Sequence, residues 1–425
     1  MKFLVLTQYF PPEIGASQVR LAAVCEELIR AGHSVEVVTA MPHHPLGRIF
    51  PEYRGAFLRR EHFAEIPVYR TWVYAGNRSS AARLLSYLSF TVTSLLAALQ
   101  VEKPDYVFTD SPPLFLGVSG WIAAKWWGAR FIFNVADLWP DSVRDLGIMK
   151  DGILMRMAQA LEGWIYSCAD YVTAVTEGIR CTLIEKKNVS PEKVLFLPNG
   201  VDTHLFESVE PDLSLKRELG LEGKRVVLYA GNHGYAGGLD QLVEAAELLR
   251  NESSIHFLLI GDGPEKLRLR HKVLSLGLTN VTFHDSVPIA NLPAFTSICD
   301  LAVVTLRKAK ITEGARPAKT FVMMAAGKAI VLAAQGEAAH LIESAGAGVV
   351  VPPESPVALA AAIQDLASDP VKAAHFGSNG RAFVKNQFEW SKLVRKWLAQ
   401  LPGAAAAAQS SRPLEPIAKN VGESA

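Results

Sequence analysis

The chain has 425 residues, of which 49% are hydrophobic and 20% are charged. Because a single hydrophobic core stops growing at roughly 250–300 residues, this length indicates two domains with separate cores. Lys and Arg number 43 against 42 for Asp and Glu. A chain so close to neutral lacks the basic surface that binding along a phosphate backbone needs, and we expect no nucleic-acid partner.

Short apolar runs alternate with helical patterns along the chain. In the first half we predict a helix over Ser17–Arg30 and strands at Lys2–Thr7, Ser34–Thr39, Tyr106–Thr109, Phe131–Val135 and Tyr171–Ala174. The pattern restarts near Arg225, with predicted strands at Val226–Ala230, His256–Ile260, Val281–His284, Leu301–Thr305, Ala329–Leu332 and Gly348–Val351. Continuous apolar runs are typical of parallel strands buried on both faces. The alternation therefore predicts two doubly wound, Rossmann-like α/β domains.

The first turn, residues 8–17 (QYFPPEIGAS), joins the first predicted strand to the first helix. Gly15 allows close approach to backbone amides, and the helix N-terminus favours an anion, so the turn could cover a phosphate or diphosphate. The alternative is an ordinary turn with Ser17 as N-cap. A G-x-G-x-x-G dinucleotide fingerprint is absent here.

The segment Leu84–Val101 has no charge and is close to the shortest length that crosses a bilayer. Arg78 and Arg83 precede it, and several Ser and Thr residues reduce its hydrophobicity. Three interpretations stay open: a buried helix, a helix docked on a membrane, and a true span. We favour a helix that packs on the sheet and presents one face to a bilayer surface.

Two polar residues follow predicted strands in the first half. Asp137 lies at the edge where ligands bind in open α/β sheets, and a carboxylate there can orient a hydroxyl nucleophile or accept its proton. Bracing of the loop is the alternative. Asn199 and Gly200 predict a tight turn at the join between the halves, either a plain hinge or a turn that points Asn199 into a cleft.

Glycine turns and two cations mark the second half. Residues 229–239 (YAGNHGYAGGL) and 260–265 (IGDGPE) follow predicted strands at one edge of one sheet, and their amides could face a diphosphate. Lys319 lies in the first turn of a predicted helix over Ala318–Ala326, with Arg316 just before it. Two cations at a helix N-terminus suit a leaving diphosphate, although both could be solvated surface charges.

Taken in chain order, these motifs resemble glycosyltransferase family 4, whose GT-B fold has a cleft between two domains. The resemblance runs from Met1 to about Leu401. It is most similar to the bacterial branch that builds O-antigen, capsule or exopolysaccharide, such as fucosamine and colanic-acid transferases. The segments that carry it are residues 10–15 (FPPEIG), 31–35 (AGHSV), 137–140 (DLWP), 198–202 (PNGVD), 229–232 (YAGN), 261–264 (GDGP) and 317–330 (PAKTFVMMAAGKAI).

The resemblance implies retaining transfer of a sugar from a nucleotide sugar, with UDP as the expected nucleotide, to a lipid-linked saccharide. It implies no metal and no cofactor. Asp137 would lie near the acceptor or the transferred sugar, and Lys319 and Arg316 would neutralise the leaving phosphates. The residues implied to bind the donor are Gly15, Asn199, Asn232, Gly234, Gly263 and Glu337.

The sequence departs from the family pattern at the donor side. Many members carry two glutamates eight positions apart, and these positions are Gly314 and Val322 here, with Glu313 adjacent to the first. The Arg and Lys common in the donor loop fall at Asn232 and Gly237. Two alternatives therefore stay open: a sugar-nucleotide epimerase of the same fold, and a catalytically degenerate scaffold in a polysaccharide assembly complex.

The resemblance also divides the chain. We expect an acceptor-binding domain over residues 1–200, a nucleotide-sugar-binding domain over 201–385, a helix crossing back to the first domain over 386–401, and a flexible tail over 402–425. The four scattered cysteines favour neither zinc nor disulfides. The cysteines thus fit a reducing, cytoplasmic compartment. From the uncharged segment Leu84–Val101 with Arg78 and Arg83 nearby, and from the family branch, we expect a protein that is peripheral on the inner face of the cytoplasmic membrane.

Overall fold

A computed structural model describes residues 1–76, 79–145, 152–207 and 210–402 of the chain. Its N-terminal half contains an eight-stranded sheet in the order β3-β4-β2-β1-β5-β6-β7-β8. The strands are β1 (Lys2–Leu6), β2 (Ser34–Ala40), β3 (Leu58–Phe63), β4 (Ile66–Thr71), β5 (Tyr106–Ser111), β6 (Arg130–Val135), β7 (Tyr171–Ala174) and β8 (Val194–Phe196). All neighbours pair in parallel except β3 and β4, which form an antiparallel hairpin at one edge.

The described residues of this half also form six α-helices. They are α1 (Ala16–Arg30), α2 (Ser80–Ala98), α3 (Leu116–Trp127), α4 (Asp141–Asp145), α5 (Ile153–Cys168) and α6 (Glu177–Glu185). Helix α1 begins one residue before the predicted start, and its N-cap is Gly15, not Ser17. The Ser17 hydroxyl instead donates a hydrogen bond to Asp110.

The C-terminal half contains a six-stranded, wholly parallel sheet in the order β11-β10-β9-β12-β13-β14. Its strands are β9 (Arg225–Ala230), β10 (Ile255–Ile260), β11 (Val281–His284), β12 (Leu301–Thr305), β13 (Ala329–Ala333) and β14 (Gly348–Val351). Its helices are α7 (Leu213–Glu218), α8 (Asp240–Leu248), α9 (Lys266–Ser275), α10 (Leu292–Ser297), α11 (Lys310–Glu313), α12 (Ala318–Ala325), α13 (Glu337–Ala345), α14 (Pro356–Ser368), α15 (Pro370–Gln387) and α16 (Trp390–Leu398). The prediction of two doubly wound α/β domains is confirmed.

Helix α16 belongs to the C-terminal end of the chain but packs on the first sheet. The ring of Trp397 is fully buried, 5.7 Å from that of Phe108 and 6.2 Å from that of Phe3. Its indole N–H donates to the Thr173 hydroxyl at 3.2 Å. The Val201 amide donates to the Phe388 carbonyl at 2.9 Å, so the chain's two crossings between the halves run side by side. The alanine-rich tail from residue 403 lies outside the described residues.

The polar and apolar faces of α2 are reversed relative to an ordinary core helix. Its buried residues are Ser86, Phe90, Thr93, Ser94, Ala97 and Ala98. Five of its large apolar side chains are 41–65% exposed, namely those of Leu84, Leu85, Leu88, Val92 and Leu96. By length and composition it is the one helix of the described residues that could cross a membrane. However, its small-residue face packs on α3, β2 and β4, so a span would have to leave that layer.

Candidate active site

The loop after β9, residues 231–238, follows the C-terminal end of a central strand of the second sheet. The Gly231 amide donates to the Ile260 carbonyl at 2.9 Å, and the His233 amide donates to the Asp262 carbonyl at 2.8 Å. These two amides hold the loop to its neighbour after β10 and cannot face a ligand. Within the described chain, the backbone amides of Asn232 and of residues 234–236 make no backbone hydrogen bond. The loop amides that remain available to an anion are therefore these four.

The second glycine turn packs against the first by backbone contact. At Gly263, where φ is +153°, a Cβ atom would lie 2.4 Å from the Asn232 side-chain oxygen and 2.6 Å from the His233 carbonyl. At Gly261, where φ is +142°, it would lie 1.9 Å from the Gly231 carbonyl. Glycine is thus required at both positions for close packing of the two loops. A Cβ atom on Gly234 would lie 3.0 Å from the side-chain nitrogen (Nδ2) of Asn232.

The His233 ring lies behind this loop and is fully buried. It packs between the rings of Tyr229 and Phe283, with centroid distances of 5.8 and 5.9 Å. Burial lowers its pKa to about 4, and the nearby Lys266 acts in the same direction. The ring is therefore neutral near pH 7 and supports the loop as an apolar residue would.

Lys319, in the first turn of α12, reaches across to this loop. Its Nζ atom lies over the ring of Tyr229, 4.0 Å from the centroid, and hydrogen-bonds the Tyr229 hydroxyl. That hydroxyl in turn donates to the Asn232 carbonyl at 2.9 Å. Gly231 has φ of +149°, and a Cβ atom there would lie 2.9 Å from Lys319 Cε and 3.1 Å from Nζ. The absence of a side chain at Gly231 is what lets the ammonium group reach the loop.

The ammonium group of Lys319 lies in an environment that disfavours its charge. Burial lowers its pKa to about 7. In the described part of the chain, no carboxylate lies within ion-pair distance of its Nζ atom. A phosphate beside it would supply the missing counter-charge and raise the pKa again. The site therefore favours a dianionic ligand such as a nucleoside diphosphate group.

Arg316 faces a different partner. Its Nε atom lies 2.6 Å from the Glu337 carboxylate, and both side chains are largely buried. The other Glu337 oxygen accepts a hydrogen bond from the Gly178 amide, in the first turn of α6 on the opposite side of the cleft. Two of the sequence-predicted site residues, Arg316 and Glu337, are thus brought together, and they join the two domains rather than facing Lys319.

The backbones of Gly178 and Gly314 meet beside this ion pair. A Cβ atom on Gly178 would lie 2.7 Å from the Gly314 Cα atom. Gly314 is one of the two positions at which the family resemblance led us to expect a glutamate, and a side chain there would have to displace this contact. Glu313, its neighbour, accepts a hydrogen bond from Gln335 at 2.9 Å. The other position, Val322, is half-buried and packs on the core.

On the N-terminal side, the N-cap of α1 is Gly15, which has no side chain. The first backbone amides of α1 therefore receive no hydrogen bond from a capping side chain. A buried network fixes this helix end. Ser17 donates to Asp110 at 3.0 Å, and Arg20 pairs with Asp110 at 3.2 Å and donates to Asn134 at 2.8 Å. Asp110 and Asn134 lie near the ends of β5 and β6, so the network ties the start of α1 to the sheet edge.

Glu13 holds the rest of the first turn. Its carboxylate accepts hydrogen bonds from the amides of His43 at 2.8 Å, His44 at 2.7 Å and Phe10 at 3.3 Å. Burial nevertheless raises its pKa to about 7. The residue therefore joins the loop after β1 to the loop after β2, where both border the cleft.

Among the described residues, no hydrogen bond or ion pair joins Asp137 or Asn199 to Lys319. Asp137 follows β6 and accepts a hydrogen bond from the Ser142 hydroxyl at 3.0 Å, and burial raises its pKa. Asn199 is half-buried in the crossing segment next to Gly200. A Cβ atom on Gly200 would lie 2.8 Å from the Phe388 carbonyl, so this turn sits directly on the second crossing.

Sequence reasoning did not single out Tyr229, Gly178, Glu13 or Asp110. Tyr229 could have been noticed as a phenol in an otherwise apolar buried strand, next to a glycine turn. The role of Gly178 depends on contact across the cleft, for which the sequence carries no local signal. Among the described residues, no group of three or more His, Cys, Asp and Glu side chains is placed to hold a metal ion.

Two family descriptions match the chain in tandem. Residues 15–200 match "Glycosyl transferase 4-like domain", and residues 213–383 match "Glycosyl transferases group 1". The two matches meet at the join between the halves, and the second contains both Lys319 and the donor loop.

Individual proteins and structures agree with these matches. The putative colanic acid biosynthesis glycosyl transferase WcaI of Escherichia coli K12 is 30% identical over 415 residues, covering 95% of this chain and all of that protein. The probable glycosyltransferase WbjE of Pseudomonas aeruginosa is 27% identical, covering 68% of this chain and 74% of that protein. Anabaena Alr3699/HepE, solved in complex with UDP and glucose, has a TM-score of 0.70 at 20% identity, covering 93% and 98% of the two chains.

Proposed function

The chain belongs to the glycosyltransferases of family 4 with the GT-B fold, and from this premise we propose that it transfers a sugar with retention from a UDP-sugar to a lipid-linked saccharide. The observation that carries the proposal is the ammonium group of Lys319 beside the donor loop, which hydrogen-bonds Tyr229 and has no carboxylate partner among the described residues. UDP is the proposed nucleotide because Alr3699/HepE, a fold neighbour, was solved with UDP. Cell-surface polysaccharide biosynthesis is the proposed setting, since the name of WcaI refers to colanic acid.

The proposed division of labour follows the two halves. Residues 1–200 bind the acceptor, residues 201–385 bind the nucleotide sugar, and residues 386–401 carry the helix that packs back on the first sheet. In support, the ammonium group of Lys319 belongs to the C-terminal half, and so do the amides of residues 234–236, which make no backbone hydrogen bond.

The proposed reaction takes place on one face of the donor sugar. The bond between C1 and the UDP oxygen breaks as Lys319 and the loop amides stabilise the departing diphosphate. The acceptor hydroxyl oxygen forms its bond to C1 on the same face, and a phosphate oxygen of the leaving UDP takes the hydroxyl proton. Asp137 is proposed to lie near the acceptor hydroxyl, where its carboxylate would orient that group.

The remaining donor-binding residues are proposed to contribute in different ways. Gly15 would cover the diphosphate from the uncapped end of α1, and Asn232 and Gly234 would line the donor loop. Gly263 would contribute by packing under Asn232. Arg316 and Glu337 bind each other, so each would reach the donor only after that ion pair opens. Asn199 would contribute from the crossing segment.

A donor screen tests this function. Purified protein is incubated with a panel of UDP- and GDP-sugars, with and without a lipid-linked saccharide, and products are followed by mass spectrometry. The proposal expects a glycoside only when acceptor is present. An epimerised donor in the absence of acceptor would support the epimerase alternative, and failure to bind any nucleotide would support the scaffold.

We also propose that the protein works on the surface of an anionic membrane. Helices α2, α3 and α5 lie side by side on one face of the first sheet, and their exposed apolar residues are Leu84, Leu85, Leu88, Val92, Leu96, Trp126, Ile153, Leu154, Met157 and Trp164. The exposed charges on these three helices are all basic: Arg83, Lys125 and Arg156. Their one acidic residue, Glu162, is buried and paired with Lys187. An apolar face with cations at its margin suits the interface of anionic phospholipids.

Vesicle sedimentation tests the membrane proposal. The substitution Val92→Glu places a charge at the centre of the apolar face of α2 and should abolish binding to phosphatidylglycerol vesicles. The matched control is Leu274→Glu, on the 77% exposed Leu274 of α9 in the other half, and it should leave binding unchanged. Equal binding of both variants, or no binding of the wild type, would contradict a docking face on α2.

A further inference from the structure

The donor loop, residues 231–238 (GNHGYAGG), contains no Lys or Arg of its own. Its one histidine, His233, is buried and neutral near pH 7, because burial lowers its pKa to about 4. A diphosphate bound along the loop carries more than one negative charge, so the cations that balance it must reach the loop from neighbouring elements. Lys319 does so at the beginning of the loop, above Gly231.

The end of the same loop is joined to Arg307, the second residue after β12. The Arg307 amide donates to the Ala236 carbonyl at 3.0 Å. Gly238 has φ of +56°, and a Cβ atom there would lie 2.9 Å from Arg307 Cγ. The Thr305 hydroxyl also donates to the Gly237 carbonyl at 2.7 Å. The stem of the Arg307 side chain therefore lies on the loop at a point where the loop has no side chain.

The guanidinium group of Arg307 has no internal partner in the part of the chain that the structure describes. There, its nitrogens make no hydrogen bond, and no carboxylate lies within ion-pair distance of them. From Cγ, these nitrogens reach roughly 5 Å by ordinary bond lengths. The amide of Ala236, whose carbonyl Arg307 binds, makes no backbone hydrogen bond, and neither do those of residues 234 and 235. The guanidinium group can thus reach an anion held by these amides.

Two cations without carboxylate partners among the described residues therefore flank the loop, one at each end, with available amides between them. Lys319 approaches from α12 and Arg307 from the loop after β12, so the two cations come from separate elements of the C-terminal half. Each lies where a glycine of the donor loop has no side chain to obstruct it, at Gly231 and Gly238 respectively. This arrangement matches the two phosphate groups of a diphosphate.

We propose that Arg307 binds one phosphate group of the donor diphosphate while Lys319 binds the other. The inference rests on the proposed function and adds a donor-binding residue to it. The guanidinium N–H groups donate to the phosphate oxygens, and their planar arrangement allows two parallel hydrogen bonds to one phosphate. As the bond between the sugar and the diphosphate breaks, the charge that develops on the diphosphate is shared between the two cations.

Binding of uridine, UMP and UDP tests the inference without turnover, since the three probes differ only in their number of phosphates. Each is titrated by calorimetry into the wild type and the variants Arg307→Gln, Arg307→Lys and Lys319→Met. Glutamine keeps the Cγ atom that packs on Gly238, and thermal unfolding without ligand checks that the fold is retained. The matched control is Lys308→Gln, because Lys308 is an exposed neighbouring cation whose amide donates to the Glu354 carboxylate at 3.2 Å.

UDP binding should weaken roughly 10- to 100-fold in Arg307→Gln, as expected for loss of charge-assisted hydrogen bonds, and less in Arg307→Lys. Lys308→Gln should leave it unchanged, and uridine binding should be the same in every variant. UMP, which has one phosphate, should respond to only one of the substitutions Arg307→Gln and Lys319→Met. Because the proposed contact is between charges, added salt should weaken UDP binding less in Arg307→Gln than in the wild type.

The inference would be overturned by equal UDP affinity of the wild type and Arg307→Gln, by an equal loss in Lys308→Gln, or by a wild type that binds UDP no more tightly than uridine. Equal loss of uridine and UDP binding in Arg307→Gln would indicate a structural role and would also overturn it, as would UMP binding that both substitutions weaken or that neither weakens. The proposed function fails differently, through absence of sugar transfer to any acceptor while UDP binding still depends on Arg307. If transfer occurs, Arg307→Gln should lower kcat and raise the KM for the UDP-sugar.

Discussion

Replacement of Lys319 by methionine should raise the stability of the protein while nearly abolishing its turnover. Methionine keeps the length of the side chain over the Tyr229 ring and removes the charge. In the unfolded chain the lysine pKa is 10.5, and burial lowers it to about 7 in the folded protein. At roughly 1.4 kcal/mol for each pH unit, this difference corresponds to about 4–5 kcal/mol of lost stability near pH 7.

The sign follows from proton binding. Between pH 7 and 10.5 the unfolded chain holds the lysine proton and the folded chain does not, so the free energy of unfolding rises with pH across that range. Lys319→Met should remove this slope. Urea unfolding of both proteins at pH 7 and pH 10 measures it, and the difference in stability between variant and wild type should shrink toward the higher pH.

Turnover should change in the opposite direction. Loss of a donor that stabilises developing charge lowers kcat by roughly 10²–10³-fold. The matched control is Lys328→Met, because Lys328 lies just after the same helix and donates to the Cys299 carbonyl at 2.8 Å without reaching the donor loop. It should leave turnover unchanged. A stable Lys319→Met variant with wild-type kcat, or one that loses both stability and turnover together, would refute the reasoning.

Three further changes test neighbouring parts of the structure. Gly231→Ala should lower kcat about as strongly as loss of the lysine, because a Cβ atom there lies 3.1 Å from Lys319 Nζ; unaltered steady-state kinetics would contradict this. Trp397→Ala should cost about 3–5 kcal/mol in urea unfolding, since it empties the contact between α16 and the first sheet, and a cost below about 1 kcal/mol would be inconsistent with that packing. Glu13→Gln should gain about 3 kcal/mol of stability relative to wild type as pH rises from 4.5 to 8. The carboxyl pKa of about 7 in the folded state lies above that of the unfolded chain, so the wild type loses stability as pH rises through it and the variant does not. The same difference in free energy of unfolding between variant and wild type at both pH values would contradict this.

Strands whose side chains are buried on both faces were among those that the sequence identified best. Residues 301–305 (LAVVT) and 171–174 (YVTA) were predicted with their observed bounds, since an apolar run and its burial coincide. The strand β3 (LRREHF) was missed because it lies at an exposed edge and has no apolar run. Its pairing with β4 depends on a neighbour that the local sequence does not specify.

In the candidate site too, the local sequence indicates some features, while others depend on contacts between distant parts of the chain. Lys319 was predicted from its place at a helix N-terminus, which is a local feature. That it stacks on Tyr229 and fills the space above Gly231 depends on contact between α12 and the loop after β9, about 90 residues apart. Likewise, nothing local indicates that Glu337 binds both Arg316 and the Gly178 amide across the cleft.

The packing around Gly314 and Val322 fits the absence of the glutamate pair. Neither residue has a carboxylate: the backbone of Gly314 lies directly against Gly178, and the side chain of Val322 packs on the core. The lysine that the family resemblance led us to expect in the donor loop is also absent, since position 237 is a glycine. The ammonium group of Lys319, which the family pattern also contains, does reach that loop from α12, and this supports phosphate binding in the absence of those residues.

The stereochemistry of transfer tests the central proposal most directly. The purified protein is given a UDP-sugar of known anomeric configuration and a lipid-linked saccharide, and the configuration of the new glycosidic bond is read from the proton coupling at C1. The account predicts a glycoside that forms only with acceptor and keeps the configuration of the donor. An inverted glycoside, or conversion of the UDP-sugar without any acceptor, would contradict it.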